Sequence, residues 1–502
     1  MNQVPYRILW ASLSEQPEQD CACAPDVPRI VVSTAALSET DCACPASGPE
    51  AALIPADTLW TLPPSLYRAP LPNGHELAFN PLAPSGIAVL NEHAARLLDS
   101  YTVPAPLADT PARQLAALGL LEPLRNTQPR NTQHASRFTP YVSRFTLWLH
   151  LTTRCNFRCA YCYAPRGQED MSPEVGRAAV DGAIRSAVAT GASALKIKYG
   201  GGEPTLNLPT LRAVHAYARQ RAAEAGLELQ EVLLTNGSTL TPALLCWLRD
   251  ERIRVSISID GIGSAHDRQR PLADEHPTSA SVAAAVDTAL ALGLRPHLSV
   301  TVTARNLDGL ADIVAFALER GLPFNLNFVR PASDPPDLLP DPQHLIASLQ
   351  SAICNLQFAI CNPQSAICNL LDRCDLSGPH RYPCGAGHSY LVVDPRGRVA
   401  RCHMDISRTV GTVWDPDPMA KVRSAGDGFR NPPVEEKEDC RECLWRYVCA
   451  GGCPLTARRT AGREDRPSPY CTVYRAILPE LLRLEGLRLL QQADNLCNAP
   501  QL

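Results

Sequence analysis

Cys155, Cys159 and Cys162 are spaced Cys-x3-Cys-x2-Cys. Three thiolates can ligate three irons of a 4Fe–4S cluster and leave the fourth iron without a protein ligand, whereas structural zinc sites and electron-transfer clusters close all four positions. The next histidine downstream is His215, too distant in sequence to complete a zinc knuckle. An open iron is a place for a reactant to bind. A denser set follows: Cys384, then Gly397 followed after four residues by Cys402, then Cys440-x2-Cys443-x5-Cys449-x3-Cys453, and Cys471. Seven cysteines in fewer than ninety residues, with Gly and Pro abundant and large apolar side chains few, indicate a segment held by metal rather than by a core. Two zinc sites are the alternative, since Cys-x2-Cys serves both chemistries. Iron is favoured because a redox cluster is already implied in the same chain.

The elements that must position these thiols alternate between residues 145 and 330. Candidate strands are 145–152, 194–199, 229–235, 253–259, 297–303 and 323–329, with amphipathic helices between them, such as 207–225 with Leu208, Leu211, Val214 and Ala218 on one face. Six βα repeats predict an α/β fold, a parallel sheet curling into a partial or complete barrel. The cysteine triplet then falls in the first βα loop, at the C-terminal face where barrels keep their chemistry. Later strands end in Gly200-Gly201-Gly202-Glu203-Pro204, Thr235-Asn236-Gly237, Ser258-Ile259-Asp260-Gly261 and Thr303-Ala304-Arg305-Asn306. Each alone is ordinary turn chemistry; recurring at strand after strand, they describe a ligand rim.

Around this unit the 502 residues divide further. Residues 1–60 are a low-complexity segment containing two Cys-x-Cys pairs, Cys21 with Cys23 and Cys42 with Cys44, outside both motifs. Residues 61–125 form a small domain, with an extended stretch at 75–79, a helix-like run over 86–101 and a second over 111–121. A polar linker, 126–143, carries the repeated Arg-Asn-Thr-Gln. The barrel occupies 144–330. The connector 331–383 contains Ala-Ile-Cys-Asn three times at a seven-residue period, read as a loop insertion that gives Cys354, Cys361 and Cys368 no ligand role. The cysteine-rich domain spans 384–480 and a tail 481–502. Twenty cysteines and a net charge of −4, without a basic and then apolar start, point to a reducing, cytoplasmic setting. No apolar run spans a bilayer and no basic excess favours nucleic acid, so neither is an expected partner.

The run Cys155-Asn156-Phe157-Arg158-Cys159-Ala160-Tyr161-Cys162-Tyr163 resembles the signature of the radical S-adenosylmethionine (SAM) superfamily. That resemblance implies that SAM chelates the open iron and yields a 5′-deoxyadenosyl radical. Gly201, Gly202 and Glu203 resemble the segment that holds the methionine amino group; Asn236 belongs to the same rim, Ser258 would contact the ribose and Arg270 the carboxylate. The seven C-terminal cysteines look like the SPASM extension, which implies two auxiliary 4Fe–4S clusters: Cys384, Cys402 and Cys453 on the first, with Cys374 a candidate fourth ligand, and Cys440, Cys443, Cys449 and Cys471 on the second. Where the sulfatase-maturing branch has an acidic residue, this chain has His403, leaving His403 or Asp405 as candidate catalytic proton acceptors. Residues 75–123 are similar to the winged-helix element that holds leader peptides by strand addition. These likenesses imply a partial (β/α)6 TIM-like barrel with a C-terminal iron–sulfur extension and a small N-terminal α+β winged-helix-like domain. They imply a maturase that takes hydrogen from a precursor peptide or protein and is fed by a flavodoxin- or ferredoxin-type reductant. The alternatives are sulfatase-maturase-like or small-molecule dehydrogenation, and a zinc-bound scaffold without catalysis.

Overall fold

The computed structural model describes residues 7–15, 28–36, 58–83, 87–124, 144–330, 336–358, 370–376, 378–426 and 428–498. Six strands, β8 (Arg144–His150), β9 (Ala194–Gly200), β10 (Glu228–Thr235), β11 (Arg254–Ser258), β12 (His297–Val302) and β13 (Phe324–Phe328), lie side by side in chain order and pair in parallel. This is the parallel sheet of a partial barrel. It continues past the expected six strands: β14 (Tyr390–Val393) pairs in parallel with β8, and β15 (Arg398–Ala400) and β16 (Thr409–Thr412) follow antiparallel. The cysteine-rich segment is therefore built onto the barrel's own sheet.

Strand alternation divides the sheet into two unlike faces. Leu147, Leu149, Ile197, Tyr199, Val255, Ile257, Leu298, Val300 and Leu326 point into the main hydrophobic core with the helices. The intervening Lys196, Lys198, Ser256, His297 and Asn325 are also buried, on the inner face. The first crossover helix, Pro173–Ala189, starts cleanly because Ser172 accepts from Val175 N at 3.3 Å and Pro173 occupies its first turn.

The N-terminal unit is an antiparallel sheet, ordered β2-β1-β6-β5-β4, built from β1 (Arg7–Glu15), β2 (Pro28–Ala36), β4 (Tyr67–Pro70), β5 (Glu76–Phe79) and β6 (Ile87–Leu90). A two-residue pair, β3 (Trp60–Thr61) with β7 (Glu122–Pro123), and the helices Glu92–Ser100 and Thr110–Ala117 complete it.

Four expectations are corrected. Two strands lie inside the segment 1–60 that reads as low complexity; short β-rich runs such as Arg7-Ile8-Leu9-Trp10 were outweighed by their Pro- and Ser-rich flanks. The run 86–101 is a strand followed by a helix, because four consecutive buried residues, Ile87 to Leu90, suit a covered strand and Asn91 then caps the helix, accepting from Ala94 N at 3.0 Å. The first heptad unit is helical, not a loop. Helix Pro342–Phe358 carries Cys354 on its exposed side, while Leu345, Leu349, Ala352, Ile353 and Leu356 bury a continuous face. The stretch 481–502 is no tail, since helix Cys471–Asn498 runs through that boundary with Leu481, Leu482, Leu484 and Leu489 buried. Cys21, Cys23, Cys42, Cys44, Cys361, Cys368 and the linker 126–143 lie outside the described residues.

Candidate active site

The loop after β8 is pinned from several sides. Leu151 N donates to Gly200 O at 2.7 Å, Gly202 N to Thr152 O at 2.8 Å and Glu203 N to Arg154 O at 2.8 Å, so the glycine run after β9 is laced to the approach to Cys155. Only glycine fits there. A Cβ on Gly202 would lie 2.1 Å from Arg154 O and 3.2 Å from Cys155 Cβ; one on Gly201, at φ 145°, would lie 2.5 Å from Thr152 O. These glycines, read from sequence as part of a ligand rim, thus first admit the cysteine loop itself. On its far side Arg158 N donates to Pro271 O and Ala160 N to Gln269 O, each at 2.9 Å, and Phe157 is buried in the core between the first two cysteines.

Cys155, Cys159 and Cys162 lie within mutual electrostatic reach. Burial raises the Cys155 thiol and pushes Cys159 up to about 12, so Cys159 holds its proton at neutral pH unless a metal takes its place. Three soft thiols on one loop, within electrostatic reach of one another, are a donor set suited to a cluster with one open iron.

Glu203 is fully buried. Its Oε1 accepts from Thr205 Oγ1 at 2.6 Å and Thr235 Oγ1 at 2.8 Å, and its Oε2 from Asn236 N at 2.8 Å, while burial raises its pKa. Asn236 in turn donates to Asn156 Oδ1 at 2.9 Å, joining the end of β10 to the cysteine loop. Ser258 ends β11, half-buried and in register with Ser299. Arg270 is buried beneath the loop, donating to Tyr161, which donates to Asp260; its Nη1 is 3.7 Å from Asp260 Oδ2. Its Nε is buried with no hydrogen-bond partner in the described structure, which fits an anionic group arriving beside Cys159. Tyr161 and Asp260 were not singled out from sequence; the aromatic inside the triplet and the Asp-Gly strand end were their only signals.

The C-terminal cysteines gather in two groups. Cys440, Cys443, Cys449 and Cys471 line one small pocket with Gly451, Tyr474 and Arg475. Burial pushes Cys440 up to about 11 and Cys449 to about 12. Cys384, Cys402 and Cys453 pack together around Ala386, Phe429 and Leu455. Against the cost of burial, Arg330 and Arg373 bring Cys453 below its ordinary value. Cys374 packs against the main core and its charge is felt at Tyr474, on the side of the first cavity.

His403 is buried at the junction of these regions. It stacks on Trp148 at 4.5 Å, meets the edge of Tyr163 at 5.3 Å, and its Nδ1 lies 2.9 Å from Tyr390 Oη. Burial first, then the charges of Arg330, Arg373 and Lys198, hold its pKa well below 6.5, so the ring is neutral at pH 7 and its protonated form is disfavoured. Asp405 instead pairs with Arg408 at 3.4 Å.

Residues 149–317 match the radical SAM superfamily. The chain carries a radical SAM domain. It is an enzyme, and the domain implies one 4Fe–4S cluster with SAM. Over 194 residues the chain is 34% identical to the GTP 3′,8-cyclase of Ectopseudomonas mendocina, covering 36% of this chain and 54% of that one. Over 333 residues it is 25% identical to the mycofactocin maturase MftC of Mycolicibacterium smegmatis, covering 64% and 81%. The solved structure of native anSMEcpe with bound AdoMet and Cp18Cys peptide superposes with a TM-score of 0.53 at 16% identity, covering 70% of this chain and 99% of that one. That likeness is one of fold. The chain spans 54–59% of the length of the first curated relatives it matches. No helix among the described residues is long and apolar enough to cross a membrane.

Proposed function

We propose that this chain is a radical SAM maturase with two auxiliary 4Fe–4S clusters, acting on a peptide by hydrogen abstraction. The observation that carries the reading is the gathering of Cys440, Cys443, Cys449 and Cys471 around one cavity, with Cys384, Cys402 and Cys453 in a separate cluster. Coverage of MftC over 64% of this chain supports a substrate of the same class. When bound to Cys155, Cys159 and Cys162, the core cluster with SAM supplies a 5′-deoxyadenosyl radical. The chain's own part is placement. Glu203 Oε2, with one donor already in place, faces an ammonium; Arg270 Nε faces a carboxylate; Asn236 and Ser258 complete the rim. Auxiliary clusters held by the C-terminal cysteines would supply an electron acceptor as the substrate is oxidised, and neutral His403, a weak base where it stands, is the candidate proton acceptor. Cys374, the candidate fourth ligand of the Cys384, Cys402 and Cys453 cluster, lies on the side of Tyr474 and Cys449, so that cluster is read with three cysteine ligands. A flavodoxin- or ferredoxin-type protein in the cytoplasm supplies reducing equivalents.

The N-terminal sheet holds the peptide by strand addition. In the described fold β1 already lies along β6, pairing Ile8 with Leu90 and Ala11 with Ile87. A peptide must therefore join one of the outer edges, β2 or β4, or displace β1.

Anaerobic reconstitution tests the whole reading. About 12 irons per chain are expected for three 4Fe–4S clusters, with SAM cleaved to 5′-deoxyadenosine under a strong reductant and a peptide product altered in mass or in deuterium uptake. A chain that holds zinc and leaves SAM intact is a scaffold. One that holds about four irons is a radical SAM enzyme without auxiliary clusters.

A further inference from the structure

Lys437 is completely buried, between the two C-terminal cysteine groups. Its carbonyl accepts from Cys440 N and Arg441 N, both at 3.2 Å, and so begins the turn that presents Cys440. Its side chain runs the other way: Nζ donates to Ala450 O at 2.7 Å and to Gly452 O at 3.2 Å. Ala450 directly follows Cys449 of one group, and Gly452 directly precedes Cys453 of the other. To aim both carbonyls at one ammonium, Ala450, Gly451 and Gly452 all adopt positive φ, at 45°, 71° and 71°, a conformation that side chains other than glycine resist. Gly451 has a second reason to be glycine, because a Cβ there would meet Lys437 Cδ at 2.6 Å and Cys440 Sγ at 3.2 Å. Burial lowers the Lys437 pKa, and the thiolates whose charge opposes that and favours the ammonium are Cys440 and Cys449 from one group and Cys453 and Cys384 from the other.

We propose that Lys437 is a positioning residue shared by both auxiliary clusters: a fixed ammonium in the wall between them that holds the Cys449–Cys453 turn in shape and raises the reduction potential of each. The proposal rests on the reading of both groups as iron–sulfur sites. Its physics is simple. Each one-electron reduction adds negative charge to a buried cluster, and a cation in the same low-dielectric wall favours the reduced form of whichever cluster receives the electron.

The test uses the full chain with Cys155, Cys159 and Cys162 all replaced by Ala, which silences the core cluster. It is reconstituted anaerobically, alone and with Lys437→Met or Lys437→Arg. The parent should hold about eight irons; a parent that holds none removes the auxiliary-cluster reading itself, whatever Lys437 does. With iron present, redox titration followed by electron paramagnetic resonance should show both midpoints falling in Lys437→Met by a tenfold change in the reduction equilibrium or more, about 59 mV for one electron, and staying near the parent value in Lys437→Arg. Full iron with unmoved midpoints in Lys437→Met, or movement of one cluster only, overturns the proposal. Should Lys437→Met lose iron, retention in Lys437→Arg supports it. Loss from both variants overturns it, since shape rather than charge would then be what the site requires.

Discussion

Gly202 and Cys155 touch because the strand end after β9 is laced directly to the loop after β8. A methyl group at Gly202 would meet a backbone carbonyl at 2.1 Å, and backbone cannot step aside as a flexible side chain can. Gly202→Ala is expected to cost core-cluster occupancy, lowering bound iron by about four atoms per chain and abolishing SAM cleavage, while visible absorption from the auxiliary clusters persists. Unchanged iron would mean that the loop tolerates the push. A second prediction concerns pH. Buried His215 has Nδ1 2.8 Å from Glu231 Oε2 and Nε2 3.2 Å from Glu251 Oε2. Burial opposes its charge, but the two carboxylates prevail and its pKa is raised above 6.5. A raised value in the folded state stabilises fully below the unfolded value and fades as pH climbs through the folded one. The thermal midpoint of the native chain should therefore fall relative to His215→Gln as pH rises above 6.5; parallel curves for the two proteins would refute the pairing. At this scale the sequence reveals residue types better than partners. Gly202 and Glu203 stand out by their neighbours in the chain, whereas the Tyr161, Asp260 and Arg270 chain joins residues 99 and 109 positions apart, a distance that local pattern does not encode.

Helix Pro342–Phe358 shows how a repeat can mislead at the scale of an element. The triplicated Ala-Ile-Cys-Asn reads as an inserted loop because each copy ends in Asn and the second is followed by Pro363. Its first copy, however, falls in phase with Leu345 and Leu349, so the buried face continues through Ala352, Ile353 and Leu356. Cys354 lies on the outer side, exposed. Cys354→Ser is accordingly expected to leave iron content unchanged and stability within about 0.5 kcal/mol, measured by iron assay and thermal unfolding; loss of iron would make this thiol a ligand after all. The barrel strands were legible for the opposite reason. Each is a run of apolar and β-branched residues ending in Gly, Asn or Ser, and the period of the flanking helices agrees with it. What was not legible is β14, whose four residues Tyr390–Val393 pair in parallel with β8 from more than 200 positions downstream. Nothing local distinguishes that short run from any covered strand.

Across the whole molecule, one helix links the parts that the proposed reaction must coordinate. Helix Cys471–Asn498 begins at a cysteine of the pocket, buries Val473, Ile477 and Leu478 in the main core, and midway along its length packs against the N-terminal sheet. There a Cβ on Gly486 would lie 2.9 Å from both Leu71 Cδ1 and Leu77 Cδ1, and Leu77 belongs to β5. The same sheet is gripped a second time from the cysteine-rich side, where Trp445, between Cys443 and Cys449, meets Tyr67 at 5.2 Å and Phe79 at 6.5 Å. A peptide bound on the sheet, as proposed, would thereby be held at a set distance from the C-terminal cysteine groups. Gly486→Leu overfills this joint, at a cost of about 1–3 kcal/mol. The expected result is faster hydrogen exchange across 67–90 with unchanged exchange in β8 to β13 and unchanged iron. SAM cleavage without peptide should be preserved while peptide modification slows, because the domain that holds the peptide no longer sits firmly on the domain that completes the reaction. Faster exchange confined to the helix itself, with 67–90 still protected, would show that Trp445 alone secures the sheet and that the helix is not the strut.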